Sequence, residues 1–355
     1  MNRPLTPLDH KRLQIGTIFV QHPDVVAVRE LLNQLNETNF RLREMETAYI
    51  RGWSRCGKSE TIKRWIHEKT GQHVIPGVKL QLLEGNGIRI IYADMTSGST
   101  PMQASQMIGS KLFGSNKILA LKELQVTDEF IGLLSEDEVT FLIVDEAQWL
   151  LRSLGPKGAD KFAAWVLTIE NARAFQLVLV GAPFLELLQL MVDAADARQA
   201  GSRLLKPFGF QTEDQQAQYK AFSKAFAKEV PYESNWIKEA LETSKCDETL
   251  YAFFFATRGR PGTHAKLHEH AAVASYRRTG RLETLSKEDF SAAFELRYLA
   301  NAKYLGFNPF KDSDFKRLPK FPLTIEEDPP DEQMKTFIKA KSKGRKGGKL
   351  YGDDQ

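Results

Sequence analysis

The feature that most constrains this chain is the run Gly-Trp-Ser-Arg-Cys-Gly-Lys-Ser at residues 52–59. Two glycines with four residues between them, followed at once by lysine and a hydroxyl residue, form the pattern of a phosphate-binding loop. An apolar segment at 48–50 precedes the run with the character of a buried strand, and a helical pattern at 60–66 follows it. Strand, loop and helix in that order are the setting in which this pattern binds phosphate. The sequence therefore predicts a nucleotide-binding unit here, as against a glycine-rich turn with an exposed lysine.

Each position of this loop has a chemical reason. We expect Gly52 and Gly57 to let the backbone turn tightly and aim its N–H groups at phosphate oxygens. Lys58 is predicted to reach the β- and γ-phosphates of ATP, and the Ser59 hydroxyl to bind Mg²⁺. The predicted nucleotide site also includes the neighbouring Ser54, Arg55, Cys56 and Glu60.

A second motif supplies the carboxylates that such a loop needs. Four apolar residues at 141–144 indicate a strand buried on both faces, as in a parallel sheet, and they lead directly into Asp145 and Glu146. Asp145 is placed to hold Mg²⁺ through its water shell, and Glu146 to polarise the attacking water. The alternative is two solvated acids at a strand end, which the presence of the phosphate loop disfavours.

Composition places the chain in a broad class. Its 355 residues are enough for two domains or for one large α/β domain with an appendage. A net charge of +4 is too mild to indicate nucleic acid by itself. The two cysteines, Cys56 and Cys246, argue against a disulfide framework and for a reducing compartment. Because no apolar run approaches the length of a membrane span and the N-terminus lacks a signal-peptide core, we expect a soluble cytoplasmic protein without a membrane partner.

Strand-like and helical segments alternate through the first two thirds of the chain, which predicts an α/β fold with a parallel sheet wound by helices. Strand patterns at 78–82 and 88–93 are joined by Asn86-Gly87, a strong hairpin signal. Further predicted boundaries are a helix start at Thr100-Pro101, another at Asp160, and a last core strand at 204–210.

The texture changes towards both ends. The turn at 19–23 either covers an adenine ring or leads into a helix packed on the core, and both interpretations stay open. Beyond Thr212 the pattern is helical only, and a final stretch carries an acidic piece at 326–330 and then a run of lysines. That composition predicts a disordered basic tail, either merely solvated or a tether for nucleic acid or a protein partner. The predicted division is a lead-in at 1–45, a nucleotide-binding core at 46–211, a helical lid domain at 212–305 and a flexible tail at 306–355.

These motifs together resemble AAA+ ATPases: the phosphate loop, the strand ending in Asp145-Glu146, arginines before the last strand, and Gly259-Arg260-Pro261 in the helical region. With Phe19, His22 and Pro23 upstream, the chain looks like the TnsC/TniB group, the ATP-dependent regulators of DNA transposition, including those of CRISPR-associated transposons. The resemblance covers roughly residues 12–300.

The resemblance implies roles for individual residues. Glu146 corresponds to the catalytic base, and His22 lies on the adenine side of the nucleotide. Arg203, more than Arg198, is the expected arginine finger acting on a neighbouring subunit, and Arg260 is the lid arginine that senses the γ-phosphate.

One departure from the AAA+ pattern concerns the strand that ends near Val180. Gly181-Ala182 follows it, where many AAA+ proteins place a polar sensor residue. Because no such side chain is present to orient the attacking water, we expect slow hydrolysis, suited to a timer or switch.

The resemblance also implies partners. The family assembles with ATP as a homo-oligomeric ring, hexameric or heptameric, or as a filament on duplex DNA. It links a target-selection protein, TniQ-like or a CRISPR effector, to the transposase. DNA contacts of this kind are to phosphates and independent of sequence, although a surface lysine is more often merely solvated. The candidate contacts are Lys111, Lys117, Lys122, Arg152 and Lys157.

Two other functions are compatible with the nucleotide motifs. A signalling or remodelling AAA+ ATPase would act on protein partners and never touch DNA, which the mild net charge permits. An origin-type or helicase-loading ATPase shares the Asp-Glu-Ala signature, but is expected to carry a C-terminal winged-helix domain, for which residues 306–355 look too short and too polar.

Overall fold

The computed structural model describes residues 5–42, 45–96, 99–152, 155–186, 188, 199–299 and 306–318. The chain divides into two compact units. Among the described residues, a sheet unit comprises those in 24–54 and 58–205, and a helical unit comprises those in 5–23, 55–57 and 206–318. No helix in the described ranges is both long and apolar enough to cross a membrane.

Within its described residues, the sheet unit contains one six-stranded sheet in the order β2-β3-β4-β5-β1-β6. The neighbouring strands are parallel except β2 and β3, which are antiparallel. The α/β fold predicted from the alternating pattern is thereby confirmed. The strands are β1 (Thr47–Gly52), β2 (Leu80–Gly85), β3 (Ile88–Asp94), β4 (Phe141–Asp145), β5 (Gln176–Gly181) and β6 (Gln199–Leu205).

The predicted hairpin forms between β2 and β3, with Leu83 in register with Ile90. Asn86 and Gly87 join the strands and both have positive φ, 52° and 74°. Two residues of positive φ match the right-handed twist of the flanking strands, which explains the Asn-Gly pair.

The helices of the sheet unit cover a core that includes Trp165, whose indole N–H donates to the buried Ser105 hydroxyl at 3.0 Å. Thr100 forms the predicted cap, in a reciprocal capping box with Gln103. The predicted start at Asp160 is wrong, because that helix already begins at Gly155. The helices are α2 (Pro23–Leu42), α3 (Lys58–Thr70), α4 (Pro101–Phe113), α5 (Glu123–Glu136), α6 (Gln148–Arg152) and α7 (Gly155–Ala172), with a 3₁₀ turn at Lys117–Ala120.

The helical unit is held by an aromatic core that includes Phe253 and Phe290, both fully buried. It is not purely helical as predicted, since β7 (Ser234–Asn235) and β8 (Thr284–Leu285) form a short parallel pair. Its helices are α1 (Pro7–Gly16), α8 (Glu213–Glu229), α9 (Trp236–Ala240), α10 (Cys246–Thr257), α11 (Pro261–Thr279), α12 (Lys287–Arg297) and α13 (Asp312–Phe315).

The predicted last core strand at 204–210 is also wrong, because β6 ends at Leu205. Pro207 has no N–H to donate to a ladder. The backbone N–H of Phe208 donates instead to the Gly259 carbonyl at 2.8 Å, and its ring packs 4.8 Å from that of Phe222 in the helical unit. The aromatic core thus takes over the segment that an apolar pattern assigned to the sheet.

The helical unit also takes in both ends of the described chain. α1 packs against α11, and its N-terminus is closed by a capping box of Thr6 and Asp9. Within the segment that composition assigned to a flexible tail, Phe310 is buried and Asn308 donates to the Ser291 hydroxyl at 2.9 Å. The described fold therefore extends to Leu318.

Candidate nucleotide-binding site

The two glycines of the phosphate loop serve different purposes. Gly57 has φ +93°, a backbone conformation that other residues rarely adopt. Gly52 is required by space instead, because a Cβ there would lie 2.5 Å from the carbonyl oxygen of Leu205 on β6. β1 and β6 therefore approach so closely at this point that only hydrogen fits.

Among the residues between the two glycines, Ser54, Arg55 and Cys56 differ in backbone conformation and exposure. Arg55 has φ +64°, which is uncommon for a residue with a side chain. Its carbonyl accepts from the Gly262 N–H at 2.8 Å, within the helical unit, and its side chain is exposed, as is that of Ser54. Cys56 is buried, with 1% exposed.

α3 begins directly at Lys58, so the N–H groups of its first turn follow the loop, as in an anion-binding helix N-terminus. The Lys58 ammonium is buried and donates to the carbonyls of Gly52 at 2.7 Å and Trp53 at 2.9 Å. Ser59 is partly exposed in the first turn. The Glu60 carboxylate accepts from Arg64 at 2.8 Å, so this predicted site residue takes part in a pair along the helix.

Asp145 lies buried at the end of β4, and donors from the protein engage both oxygens of its carboxylate. Oδ1 accepts from the Glu146 backbone N–H at 2.8 Å, and Oδ2 accepts from the Tyr92 hydroxyl at 2.6 Å. Burial, followed by the charge of Asp145, raises the pKa of Tyr92, so this hydroxyl remains a donor. Sequence reasoning missed Tyr92, since an aromatic residue within a strand usually indicates core packing.

A third carboxylate, that of Asp94, lies beside Asp145 and Glu146. Asp94 ends β3 in direct register with Asp145, because parallel strands bring their carboxyl ends to one edge of the sheet. Burial and then the charge of Asp145 raise the pKa of Asp94, against the opposing effects of Lys63 and Lys79. The signal that identified Asp145, an acid at the end of an apolar strand, is present at Asp94 as well.

Glu146 has φ +54°, in the left-handed region that few side-chain-bearing residues adopt. Such strain persists when the surroundings impose it, and it clusters at functional sites. Burial and then the charge of Asp145 raise the pKa of Glu146, while a hydrogen bond from Gln148 and the charge of Lys58 lower it. A partly buried carboxylate with a raised pKa is suited to accept a proton from water.

Gln148, the first residue of α6, is a second residue to which the sequence analysis gave no role. Its Nε2 donates to Glu146 Oε2, and its Oε1 accepts from the Ala182 N–H at 3.1 Å. The end of β5, which has no polar side chain of its own at Gly181 and Ala182, is therefore contacted by a polar side chain from α6, the helix that follows β4.

The donor set suits ATP with Mg²⁺. Mg²⁺ prefers hard oxygen ligands and usually takes one or two carboxylates together with phosphate oxygens, which Ser59, Asp145 and a triphosphate offer. The N-terminus of α3 and the Lys58 ammonium suit phosphate charge. Lys58 would hold the nucleotide, and Ser59 and Asp145 its metal ion.

The arginines and His22 fall into different parts of the molecule. Arg203 lies on β6 itself, in register with Ile50, and donates to the Ser202 carbonyl at 3.0 Å. Arg260 lies in the helical unit as the residue before α11, and the His22 ring packs 5.2 Å from that of Phe208 in the same unit. Arg198 lies outside the described residues. The sheet unit thus gathers the loop lysine and the carboxylates, while Arg260 and His22 belong to the other unit.

The predicted DNA contacts are surface residues where they are described. Lys111 lies in the last turn of α4, Lys117 lies in the 3₁₀ turn and Lys122 precedes α5, all three exposed. Lys117 pairs with Glu129 at 2.9 Å while its side chain stays 70% exposed. Arg152 ends α6 and Lys157 lies in α7, but their side chains are outside the described part of the structure.

Comparison with known proteins shows the type of domain and the fold. Residues 43–191 match the family described as "AAA domain". None of the curated proteins matches the sequence. The fold is similar to that of Cdc6p from Pyrobaculum aerophilum, at 14% identity and TM-score 0.56, covering 80% of this chain and 70% of that one.

Two DNA-bound structures share the fold as well. The Orc1 protein of Aeropyrum pernix in complex with DNA matches at 18% identity and TM-score 0.53, covering 80% of this chain and 69% of that one. Drosophila ORC bound to DNA matches at 15% identity and TM-score 0.51, covering 85% and 70%. Residues 43–191 of this chain are therefore an AAA-type ATPase domain, with the fold of these proteins.

Proposed function

We propose that this protein is an AAA+ ATPase that assembles with ATP on duplex DNA and uses hydrolysis as a switch. The observation that carries the proposal is the meeting of three groups at one edge of the sheet. Lys58 follows β1 and its loop, Asp145 ends β4 and Glu146 comes directly after it. The charges of Lys58 and Asp145 are close enough to act on Glu146. A cation, a metal-binding carboxylate and a base of raised pKa are the parts that phosphoryl transfer to water requires.

The chain's own residues divide this work. Lys58 neutralises phosphate charge, Ser59 and Asp145 hold the metal ion, and Glu146 accepts the proton of the attacking water. When bound, ATP with Mg²⁺ supplies the transferable γ-phosphoryl group and the metal charge that stabilises it. Arg203 from a neighbouring subunit completes the site, and Arg260 senses the bound γ-phosphate.

The specific role we propose is that of a TnsC/TniB-type regulator of DNA transposition. A homo-oligomeric ring or filament on DNA connects a target-selection protein, TniQ-like or a CRISPR effector, to the transposase. The support is the set of motifs at His22, Lys58, Asp145 and Arg260 together with the exposed lysines Lys111, Lys117 and Lys122. Contacts from such lysines are to phosphates and therefore independent of base sequence.

A second candidate is an origin-type ATPase. The observation in its favour is the fold shared with Cdc6p, Orc1 and ORC, two of them in DNA-bound structures. Sequence preference separates the two functions: assembly along any duplex supports the transposition role, and strong preference for particular sites supports the origin role.

Two substitutions test nucleotide use. We expect Lys58→Ala to lose ATP binding, because the phosphates lose their principal counter-charge, and Glu146→Gln to bind ATP normally yet stop hydrolysis, because the amide keeps the shape without the basicity. Fluorescent-ATP titration and phosphate release measure the two effects. Lys69→Ala, at the other end of α3, is the matched control and should behave like the wild type. Unchanged ATP affinity in Lys58→Ala contradicts the site.

DNA binding is tested by its salt dependence with ATP and a random duplex. Each phosphate that the protein neutralises should add about −0.9 to the slope of log affinity against log salt. Lys111→Glu and Lys122→Glu should each make the slope shallower, whereas Lys238→Glu, an exposed lysine of α9, should not. If the protein hydrolyses ATP but does not bind duplex DNA even at low salt, the DNA-binding role is contradicted. The result would then support a signalling ATPase that acts on protein partners.

A further inference from the structure

Gln148 is a buried amide side chain that connects the ends of two neighbouring strands. It is 8% exposed, lies two residues after the proposed base, and touches two different strand ends. Its Nε2 donates to the carboxylate of Glu146, the residue that follows β4. Its Oε1 accepts from the N–H of Ala182, the residue that follows β5.

The orientation of this amide is set by its partners. A carboxylate can only accept a hydrogen bond, and a backbone N–H can only donate one. The Nε2 group must therefore face Glu146 and the Oε1 atom must face Ala182. A side chain tied at both ends has little freedom to turn away, so it fixes Glu146 Oε2 relative to the end of β5.

The neighbouring backbone is shaped to admit the amide. A Cβ added at Gly181 would lie 2.4 Å from Gln148 Oε1 and 2.7 Å from Leu185 Cδ1. Any residue other than glycine at 181 would expel the amide or displace Leu185. Gly181 has no side chain to offer at the end of β5, and its lack of a side chain is also what makes room for Gln148.

We propose that Gln148 is a positioning residue for Glu146, replacing from α6 the polar side chain that the end of β5 lacks. The inference rests on the proposed ATPase function. One carboxylate oxygen of Glu146 is held by Gln148, which leaves the other oxygen to accept the proton of the attacking water. Loss of this tie frees the carboxylate to rotate, and misplacement of a reacting group by about 1 Å can cost about 100-fold in rate.

Two substitutions separate the two ends of the tie. Gln148→Met is similar in length and removes both hydrogen bonds, whereas Gln148→Glu keeps an acceptor for the Ala182 N–H and removes the donor to Glu146. We expect kcat for ATP hydrolysis to fall by about 10- to 100-fold in both, with KM and fluorescent-ATP affinity unchanged. Hydrogen exchange of the Ala182 amide, measured without nucleotide, should accelerate in Gln148→Met and stay slow in Gln148→Glu.

The matched control is Gln81→Met. Gln81 is equally buried, but among the described residues its amide bonds the backbone of Ile75 and Val78, so its loss should leave kcat unchanged. Gly181→Ala should displace the Gln148 amide while leaving glutamine at position 148, and should therefore lower kcat as Gln148→Met does. Wild-type kcat in Gln148→Met, a higher kcat, or a loss of ATP affinity equal to the loss of kcat would overturn the positioning role. A wild-type protein without any hydrolysis would overturn the proposed function itself, whatever the exchange at Ala182.

Discussion

At the scale of single residues, the hydroxyl of Tyr92 determines how Asp145 presents its carboxylate. Tyr92 is 2% exposed, and its bond to Asp145 Oδ2 is 2.6 Å long. Partners that orient a metal-binding carboxylate typically contribute about 10- to 100-fold to metal affinity. We therefore expect Tyr92→Phe to raise the Mg²⁺ concentration needed for ATP-dependent behaviour by about tenfold or more, as measured by Mg²⁺ titration of hydrolysis and of DNA binding.

The control for this change is Tyr219→Phe. Tyr219 is also buried and bonded, to Thr257 at 3.2 Å, but it lies in the helical unit. Its loss should cost stability, about 1–3 kcal/mol, without moving the Mg²⁺ titration. Equal Mg²⁺ requirements in Tyr92→Phe and the wild type would mean that Asp145 is oriented by its other contacts.

At the scale of elements, the contact between β1 and β6 sets the start of the phosphate loop. A Cβ at Gly52 would meet the Leu205 carbonyl oxygen at 2.5 Å, and both atoms belong to paired strands that cannot easily move apart. We expect Gly52→Ala to destabilise the protein by about 1–3 kcal/mol, as overpacking does, and to weaken ATP binding because the loop is displaced.

Gly132→Ala provides the comparison. Gly132 lies within α5 and a Cβ there would contact no described atom within 4 Å, so alanine should stabilise the helix by about 0.5–1 kcal/mol. Denaturant unfolding and fluorescent-ATP titration of both variants measure the two effects. If Gly52→Ala is as stable as the wild type and binds ATP equally well, the close approach of β6 does not constrain the loop.

At the scale of the whole molecule, Arg203 tests whether the active site is shared between subunits. β6 lies at one end of the strand order in the described sheet, so a residue on it can face a neighbouring copy. An arginine supplied in this way can contribute on the order of 10³-fold to the rate. We expect Arg203→Ala to bind ATP almost normally, to hydrolyse it poorly and not to assemble on DNA.

A mixing experiment distinguishes a shared site from a damaged one. Arg203→Ala combined with Lys58→Ala should recover part of the hydrolysis, because a hybrid interface can pair an intact loop with an intact arginine. The absence of recovery at every mixing ratio argues against a shared site. Full activity of Arg203→Ala alone transfers the role to Arg198 or removes it.

Acid should destabilise the helical unit through two buried histidines. Burial lowers the pKa of His268 to about 4, and burial with the charge of His268 lowers the pKa of His264. Because the unfolded chain then binds protons more tightly than the folded one, protonation favours unfolding. The contribution of these histidines to the free energy of unfolding is fully present above about pH 6.5 and is lost as the pH falls towards 4. For His268 alone the loss amounts to roughly 3 kcal/mol.

Hydrogen exchange over α11 between pH 7 and pH 4 measures this effect. His268→Leu should flatten part of the pH dependence, since leucine has no proton to bind, whereas His73→Leu, at an exposed site in the sheet unit, should not alter it. A pH profile that is the same in His268→Leu and the wild type contradicts the assignment.

The sequence by itself determined the features that depend on neighbouring residues. The apolar run of β4, the Asn86-Gly87 turn and the Thr100 cap each follow from local chemistry, and each is present in the structure. The alternation of strands and helices, which was enough to predict the sheet, is local information of the same kind. Local signals failed at Asp160 and at Phe208, where a helix extended through its presumed cap and an aromatic core recruited a strand-like segment.

Only the tertiary structure decided which side chains surround the predicted carboxylates. Tyr92 meets Asp145 across 53 residues, and Gln148 meets Ala182 across 34. Both contacts depend on the order β3-β4-β5, which sets these strand ends side by side. Periodicity along the chain reports whether a strand is buried, but it carries no information on which strand lies next to it. The loop and its acids were therefore predictable, whereas the groups that orient those acids were not.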